Sequence, residues 1–229
     1  MAMLQAADAE QKHTRVKQMI AAGVAGALLI GTMGTFAFFT GTDSVSNKYS
    51  ISDGLQDKIT LTETNWDTTD DDGNGIPDAA EKVVPTQTLA KNPVVNNESD
   101  VSAYLMAQVK VPTASVKVVQ EDGSVEATAS SHELWTYTVN SGWTETGTAF
   151  VKDGYTVHTY LYNPAVAAGA SSAAVFDDIT LINLAEGQGL TADQVDVIGF
   201  GIQEEGFDNA AAAWDAYVKQ NPAEVITNA

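Results

Sequence analysis

The chain has no cysteine in its 229 residues. Disulfides, thiolate metal sites and thiol catalysis are excluded together. Positive charge is scarce: 11 Lys and Arg stand against 30 Asp and Glu, a formal net charge of −19. Such a surface repels nucleic-acid phosphates and anionic headgroups, favours solubility and attracts divalent cations. Catalytic signatures are lacking too. His132-Glu133 opens like the zinc-peptidase motif H-E-x-x-H, but Thr136 stands where the second His belongs, and His13 and His158 do not supply the spacing. Neither Gly-x-Ser-x-Gly nor a P-loop is present, and no internal repeat is visible. Carboxylate pairs such as Asp177-Asp178 and Glu204-Glu205 arise by chance in so acidic a chain.

What is present begins at the N-terminus. Lys12, Arg15 and Lys17 precede an uncharged run from Met19 to Phe39. A basic region, an apolar core and a small-residue exit make the layout of a secretory signal peptide. Thr35 and Ala37 are the small residues two apart that a signal peptidase pocket accepts, so cleavage after Ala37 leaves Phe38 as the mature N-terminus. An uncleaved membrane anchor is the alternative, because a bilayer needs roughly 20 apolar residues. Gly23, Gly26, Gly31 and Gly34 weaken the run as a stable spanning helix. Removing residues 1–37 takes away three basic and two acidic residues, leaving 192 residues with a net charge of −20. That length suits one domain with a real core.

In the mature part the dominant period is two. Val101, Ala103, Leu105, Ala107, Val109 and Val111 fall on one face, with Ser102, Tyr104, Met106, Gln108 and Lys110 on the other. Alternation of this kind puts one face on a core and one toward water. The pattern recurs at Ile59 and Leu61, at Trp135, Tyr137 and Val139, and at Tyr155, Val157, Thr159 and Leu161. Phe176 with Ile179 to Ile182, and Val195 to Gln203, read as two more strands. Turn signals such as Asp122-Gly123, Asp153-Gly154 and Asn163-Pro164 separate them. Strands at this spacing without intervening helices predict an all-β fold, an antiparallel β-sandwich. One short helix near the C-terminus is expected, capped by Asp208 or Asn209, running to Lys219 and stopped by Asn221-Pro222. Its apolar face of Ala210, Ala213, Trp214, Tyr217 and Val218 suits a sheet edge or end. A helical piece is expected over Thr191 to Gln194, and the Ala/Ser/Gly-rich stretch Ala165 to Ala174 reads as a mobile surface loop. The expected organisation is a signal segment 1–37, an N-terminal strand segment 38–56, and a β-sandwich domain 57–229 with an acidic loop at 67–82.

One motif carries explicit chemistry. Residues 70–81 fit the calcium loop D-x-D-x-N-G-x5-E at each defined position. Asp70, Asp72 and Asn74 offer side-chain oxygens, and Gly75 permits the sharp turn. Ile76 offers its carbonyl, Asp78 acts directly or through water, and Glu81 chelates with both oxygens. The Asp-Gly-Asn-Gly-Ile-Pro-Asp core also resembles extracellular calcium loops that need no flanking helices. A solvated acidic turn is the alternative, since Asp, Asn and Gly dominate ordinary loops. His158, on an alternating strand, reads as a half-exposed sheet residue rather than a ligand. Trp66, Trp135, Trp143 and Trp214 offer a carbohydrate-stacking platform as one reading and core packing as the better one; burial of Trp66 and Trp143 would remove the first.

The order of several short motifs gives a family resemblance. Ala37-Phe38-Phe39-Thr40-Gly41-Thr42-Asp43 leads into Asn47-Lys48-Tyr49 and then Gly54. Lys91-Asn92-Pro93-Val94-Val95-Asn96-Asn97 precedes the strand that starts Asp100-Val101-Ser102, and Gly201-Ile202-Gln203 and Ala213-Trp214 close the chain. This order resembles the SipW-dependent secreted proteins, the group that holds the TasA biofilm fibre protein and camelysin. The resemblance implies a jelly-roll variant of the sandwich and a place on the cell surface or in the biofilm matrix. Because camelysin has been grouped with metallopeptidases, it also raises an extracellular peptidase as an alternative.

The residues themselves suggest how copies would join. The segment from Phe38 to Ile51 carries alternating Val45, Asn47, Tyr49 and Ile51, and is short of turns after Gly41. As a donor strand it would pair through Val45, Tyr49 and Ile51 with an open sheet edge of the next subunit. Repetition head to tail gives an open filament. The expectation is therefore a secreted, non-enzymatic structural protein whose partners are its own copies. It meets the membrane and signal peptidase before cleavage, and calcium is the one cofactor considered. Alternatives are a monomer with its strand folded back, and a calcium- or carbohydrate-binding surface protein.

Overall fold

The chain divides into two units, Met1–Ala37 and Phe38–Ala229. The computed structural model describes residues 40–45, as backbone, together with 55, 58–188, 190 and 194–228. The expected N-terminal signal or membrane helix, with Thr35, Ala37 and Phe38, lies outside the described residues, as do residues 191–193 of the helical piece expected over Thr191 to Gln194.

In chain order the first strands are β1 (Thr40–Val45), β2 (Ile59–Glu63), β3 (Thr88–Ala90), β4 (Pro93–Asn97), β5 (Ala103–Val116) and β6 (Ser130–Glu133). There follow β7 (Trp135–Thr136), β8 (Trp143–Glu145), β9 (Phe150–Lys152), β10 (Tyr155–Tyr162), β11 (Ala170–Ser171), β12 (Asp178–Leu181) and β13 (Asp196–Gln203). The helix α1 spans Ala210–Gln220. Every strand pair described is antiparallel. The largest sheet runs β1-β13-β5-β10-β8, with β6 added to β5 and β9 to β10. Two three-stranded sheets, β11-β4-β2 and β3-β12-β7, complete the all-β architecture.

β5 is the centre of this arrangement. Leu105, Ala107, Val109 and Val111 enter the larger apolar cluster, where Ile59, Val95, Phe176 and Ile179 from the other two sheets and their flanks meet them. β13 presents Gly199 and Gly201 to the same side. A Cβ on Gly201 would lie 2.6 Å from Ile59 Cδ1, and one on Gly199 3.2 Å from Val95 Cγ2. Two glycines at alternate positions thus let β2 and β4 side chains approach β13 closely.

The opposite face of β5 does not meet water as the alternation suggests. Tyr104, Met106 and Gln108 are all buried. α1 lies across this face rather than at an edge, and Ala210, Ala213 and Tyr217 join Tyr104, Met106, Leu161, Phe200 and Ile202 in a second cluster. The rings of Phe200, Trp214 and Tyr217 meet at centroid distances of 5.4–5.9 Å. Each such pair contributes about 0.5–1.5 kcal/mol beyond its buried area. Beyond α1 the tail is fastened by a side chain acting as a strand: Gln108 Nε2 donates to Ile226 O at 2.9 Å, and Ile226 N–H donates to Gln108 Oε1 at 3.0 Å. Both polar groups of a fully buried amide are thereby satisfied.

Three other expectations are corrected. Trp135 to Val139 is not one strand: β6 pairs with β5 and β7 with β12, so the chain changes sheets there and pairing ends at Thr136. Phe176 precedes β12 rather than belonging to it, and fills the core beneath Tyr137 with ring centroids 4.6 Å apart. The stretch Ala165 to Ala174 is pinned, not free. Val166 exchanges two main-chain hydrogen bonds with Ala103, and β11 pairs with β4.

Candidate functional site

The N-terminal edge is built from β13 outward. One side of β13 pairs with β5 over its whole length, from Asp196↔Lys110 to Gln203↔Ala103. Its other side pairs with β1, in register from Thr40↔Ile202 to Val45↔Val197. β1 is therefore the outermost strand, and in this chain it closes its own β13 edge. The strand covers residues 40–45 and includes Val45, while Tyr49 and Ile51 lie outside the described residues.

The acidic loop follows Trp66, which is half-buried against the larger cluster with Lys91 Nζ 5.2 Å from its ring centroid. Asp70 organises the turn. Its carboxylate accepts N–H bonds from Gly73 at 2.8 Å, Asn74 at 3.2 Å and Gly75 at 2.8 Å. These bonds, Gly75 first, hold the Asp70 carboxyl below its ordinary range, although burial opposes them. Gly73 and Gly75 take φ of 71° and 86°, the left-handed region that glycine enters without strain. Asn74 Oδ1 accepts from Ile76 N–H at 2.8 Å, while its Nδ2 donates to Asp72 Oδ2 at 3.1 Å and to Glu81 Oε1. Asp78 Oδ1 accepts from Asp71 N–H at 3.2 Å and leads into a 3-10 turn at Asp78–Ala80. Asp70, Asp72, Asn74 and Glu81 thus form one hydrogen-bonded knot. The Asn74 amide group bridges two carboxylates. Among the described residues no group of three or more His, Asp or Glu side chains has metal-holding geometry.

His158 lies half-buried on β10, as its alternating strand suggests, and both it and His132 have carboxylate partners. His132 Nε2 is 2.7 Å from Ser130 Oγ and 3.0 Å from Glu126 Oε2. Both contacts fall on one ring nitrogen, so no serine–histidine–carboxylate relay exists here; that arrangement needs a partner on each nitrogen. His158 does use both nitrogens. Nδ1 is 2.8 Å from Glu145 Oε1, and Nε2 is 3.1 Å from Glu133 Oε2. The sequence reading missed this cluster, and no local spacing signals it.

The tryptophans are distributed through the two cores. Trp143 is buried, with its indole N–H donating to Ala173 O at 2.9 Å, and Trp135 is buried in the same larger cluster. Trp66 is half-buried there, and Trp214 packs on the smaller cluster. Comparison with family models, with curated proteins and with solved structures finds no match for this chain.

Proposed function

We propose that the chain is a secreted, non-enzymatic structural protein of the cell surface or biofilm matrix, of the SipW-dependent type. Its architecture is a jelly-roll-like β-sandwich, and its copies join by donation of the N-terminal strand. The observation that carries this reading is the β1 edge. β1 is the outermost strand of the large sheet, stands at the N-terminal end of the described chain and lies beside the proposed cleavage site. Its pairing with β13 uses main-chain groups that are the same in every copy. A chain whose β1 is withdrawn offers the β13 edge to the β1 of another copy in the same register. Such a contact is heterologous and propagates as an open filament. Signal peptidase acts during export, and the membrane is a partner before cleavage alone.

The sandwich reading is supported by the close approach of Ile59 and Val95 to Gly201 and Gly199, which stacks β2 and β4 over β13. For the acidic loop we infer calcium. Asp70, Asp72, Asn74, Asp78 and Glu81 supply side-chain oxygens and Ile76 a carbonyl, a hard-oxygen set suited to that ion. Rotation of the Asn74 amide would present its oxygen in place of the bridging NH2.

A second reading is favoured by the in-chain pairing itself: a monomer whose own β1 permanently closes the edge. One experiment separates the two. Electron microscopy of the mature protein, its N-terminus sequenced, is compared with that of a variant lacking residues 38–50. Strand donation expects filaments from the former and a soluble folded monomer from the latter. Filaments from the deletion variant refute donation, and a deletion variant that does not fold favours the self-closed monomer.

A further inference from the structure

One cluster of titratable side chains centred on β10 links β6 and β8, two strands that are not paired with each other. His158 lies on the same face of β10 as Tyr160, and its side chain is 15% exposed. Glu133 reaches it from β6 and Glu145 from β8, their side chains 35% and 43% exposed. β6 is hydrogen-bonded to β5, and β8 to β10. The imidazole is therefore a bridge between a strand added to β5 and a strand at the opposite rim. Tyr137 meets the ring edge-on and Tyr160 stacks on it, each at 6.2 Å, and their hydroxyls bond each other at 2.9 Å.

We propose that His158 is a proton-operated clamp: its imidazolium fastens β6 and β8 together, and loss of the proton releases the Glu145 arm at the edge strand β8. An imidazolium has two N–H donors, one for each carboxylate, whereas neutral imidazole has one donor and one lone pair. A lone pair facing a carboxylate oxygen at these distances is repulsive, so the neutral ring keeps one partner. Glu145 is the more exposed carboxylate and sits on a three-residue strand at the rim, so its arm opens at the lower cost.

The surroundings set the direction of the switch. Burial pushes the imidazole pKa down, but hydrogen bonds and charge from Glu133 and Glu145 more than offset this, and the net shift is upward. Among the described residues, the other titratable groups against the ring are Tyr137 and Tyr160. Burial pushes Tyr160 up to about 12 and Tyr137 higher still, so both stay neutral while the histidine titrates. A raised folded pKa means that the clamp's stabilisation is fully present below about pH 6.5, the unfolded value, and is lost as pH rises through the folded value.

The test is an imidazole NMR titration of the full chain, read beside amide exchange at Thr146, whose N–H donates to Thr159 O at 2.8 Å beside Glu145. His158 is expected to titrate above the ordinary imidazole value, and to fall back toward it in Glu145→Gln and in Glu133→Gln. Exchange at Thr146, corrected for its intrinsic base dependence, is expected to rise several-fold as the imidazole loses its proton. In His158→Gln or Glu145→Gln it is expected to show no such step. Titration at or below the ordinary value overturns the clamp, as does corrected exchange that stays level through the titration.

Discussion

At the residue scale the most consequential polar contact is the pair Lys91–Glu63. Their side chains are 7% and 5% exposed, and Lys91 Nζ lies 2.7 Å from Glu63 Oε1 and 2.8 Å from Oε2. Good hydrogen-bond geometry exists at Oε2 alone, so Oε1 is held by charge without a directed bond. Asn92 completes the fastening, donating to Thr64 Oγ1 and accepting from Asn65 N–H. The short Lys91-Asn92-Pro93 motif thus has a physical role: it ties the start of β4 to the turn that ends β2. Breaking a buried pair strands a charge, which costs about 3–5 kcal/mol, whereas replacing both partners by apolar groups is often neutral. Lys91→Met is accordingly expected to lose that much stability in urea unfolding, and Glu63→Leu with Lys91→Met to regain most of it. Gly201→Ala should cost roughly 1–3 kcal/mol by overpacking, because the new methyl meets Ile59 at 2.6 Å. Ile59→Val, which removes the nearest atom, should recover part of that loss in the same assay.

At the scale of elements, α1 and the acidic loop make opposite demands. α1 is set by the residues that flank it. Asn209 Oδ1 accepts from Ala212 N–H at 3.0 Å, and Asn221 N–H donates to Tyr217 O at 2.8 Å just before Pro222. Asn209→Ala should cost about 1 kcal/mol, the usual worth of an N-cap, readable as a lower thermal midpoint. Tyr217, fully buried with its hydroxyl 2.6 Å from Glu224 Oε2, makes the helix a structural part of the sheet's outer face. The loop has little such anchoring and is exposed from Asp71 to Ile76. Calcium is expected to raise the melting temperature, by roughly 2.7 kcal/mol of stabilisation at about 100 times its Kd. Glu81→Gln should blunt that rise. A melting temperature indifferent to millimolar calcium would leave the loop as an acidic turn.

On the scale of the whole molecule, the proposed processing and the proposed assembly both involve the N-terminus. Ala37→Phe is expected to block the peptidase pocket and leave the precursor in the membrane, read by fractionation and N-terminal sequencing. Residues 1–37 found on the secreted wild-type protein would defeat that reading. Placing Asp at Val45 and Tyr49 should weaken filaments strongly, because unpaired charges resist burial. The same double variant should keep its folded circular dichroism if the strand is exchanged between copies. Residues 38–229 carry a net charge of −20, so under the proposed assembly copies repel at long range and added salt should speed filament growth through screening.

The sequence by itself determined the all-β class, the bounds of α1 to within a residue or two, the long alternating strand that becomes β5, and the composition and sharp-turn Gly75 of the acidic loop. All of these are local: a period of two, a cap, a stop, a glycine at a tight turn. Tertiary structure decided the rest. Met106 and Gln108 read as solvent-facing because alternation reports one buried face, and the partner that covers the other face, α1 with the tail to Ile226, lies a hundred residues further on. β1 reads as a donor strand with the chain's own edge as the rival, because pairing depends on which β13 is within reach, and reach is not written in a strand's pattern. His158 reads as an unremarkable sheet residue, since Glu145 and Glu133 are 13 and 25 positions away and converge on it only when β8 and β6 are laid against β10 and β5.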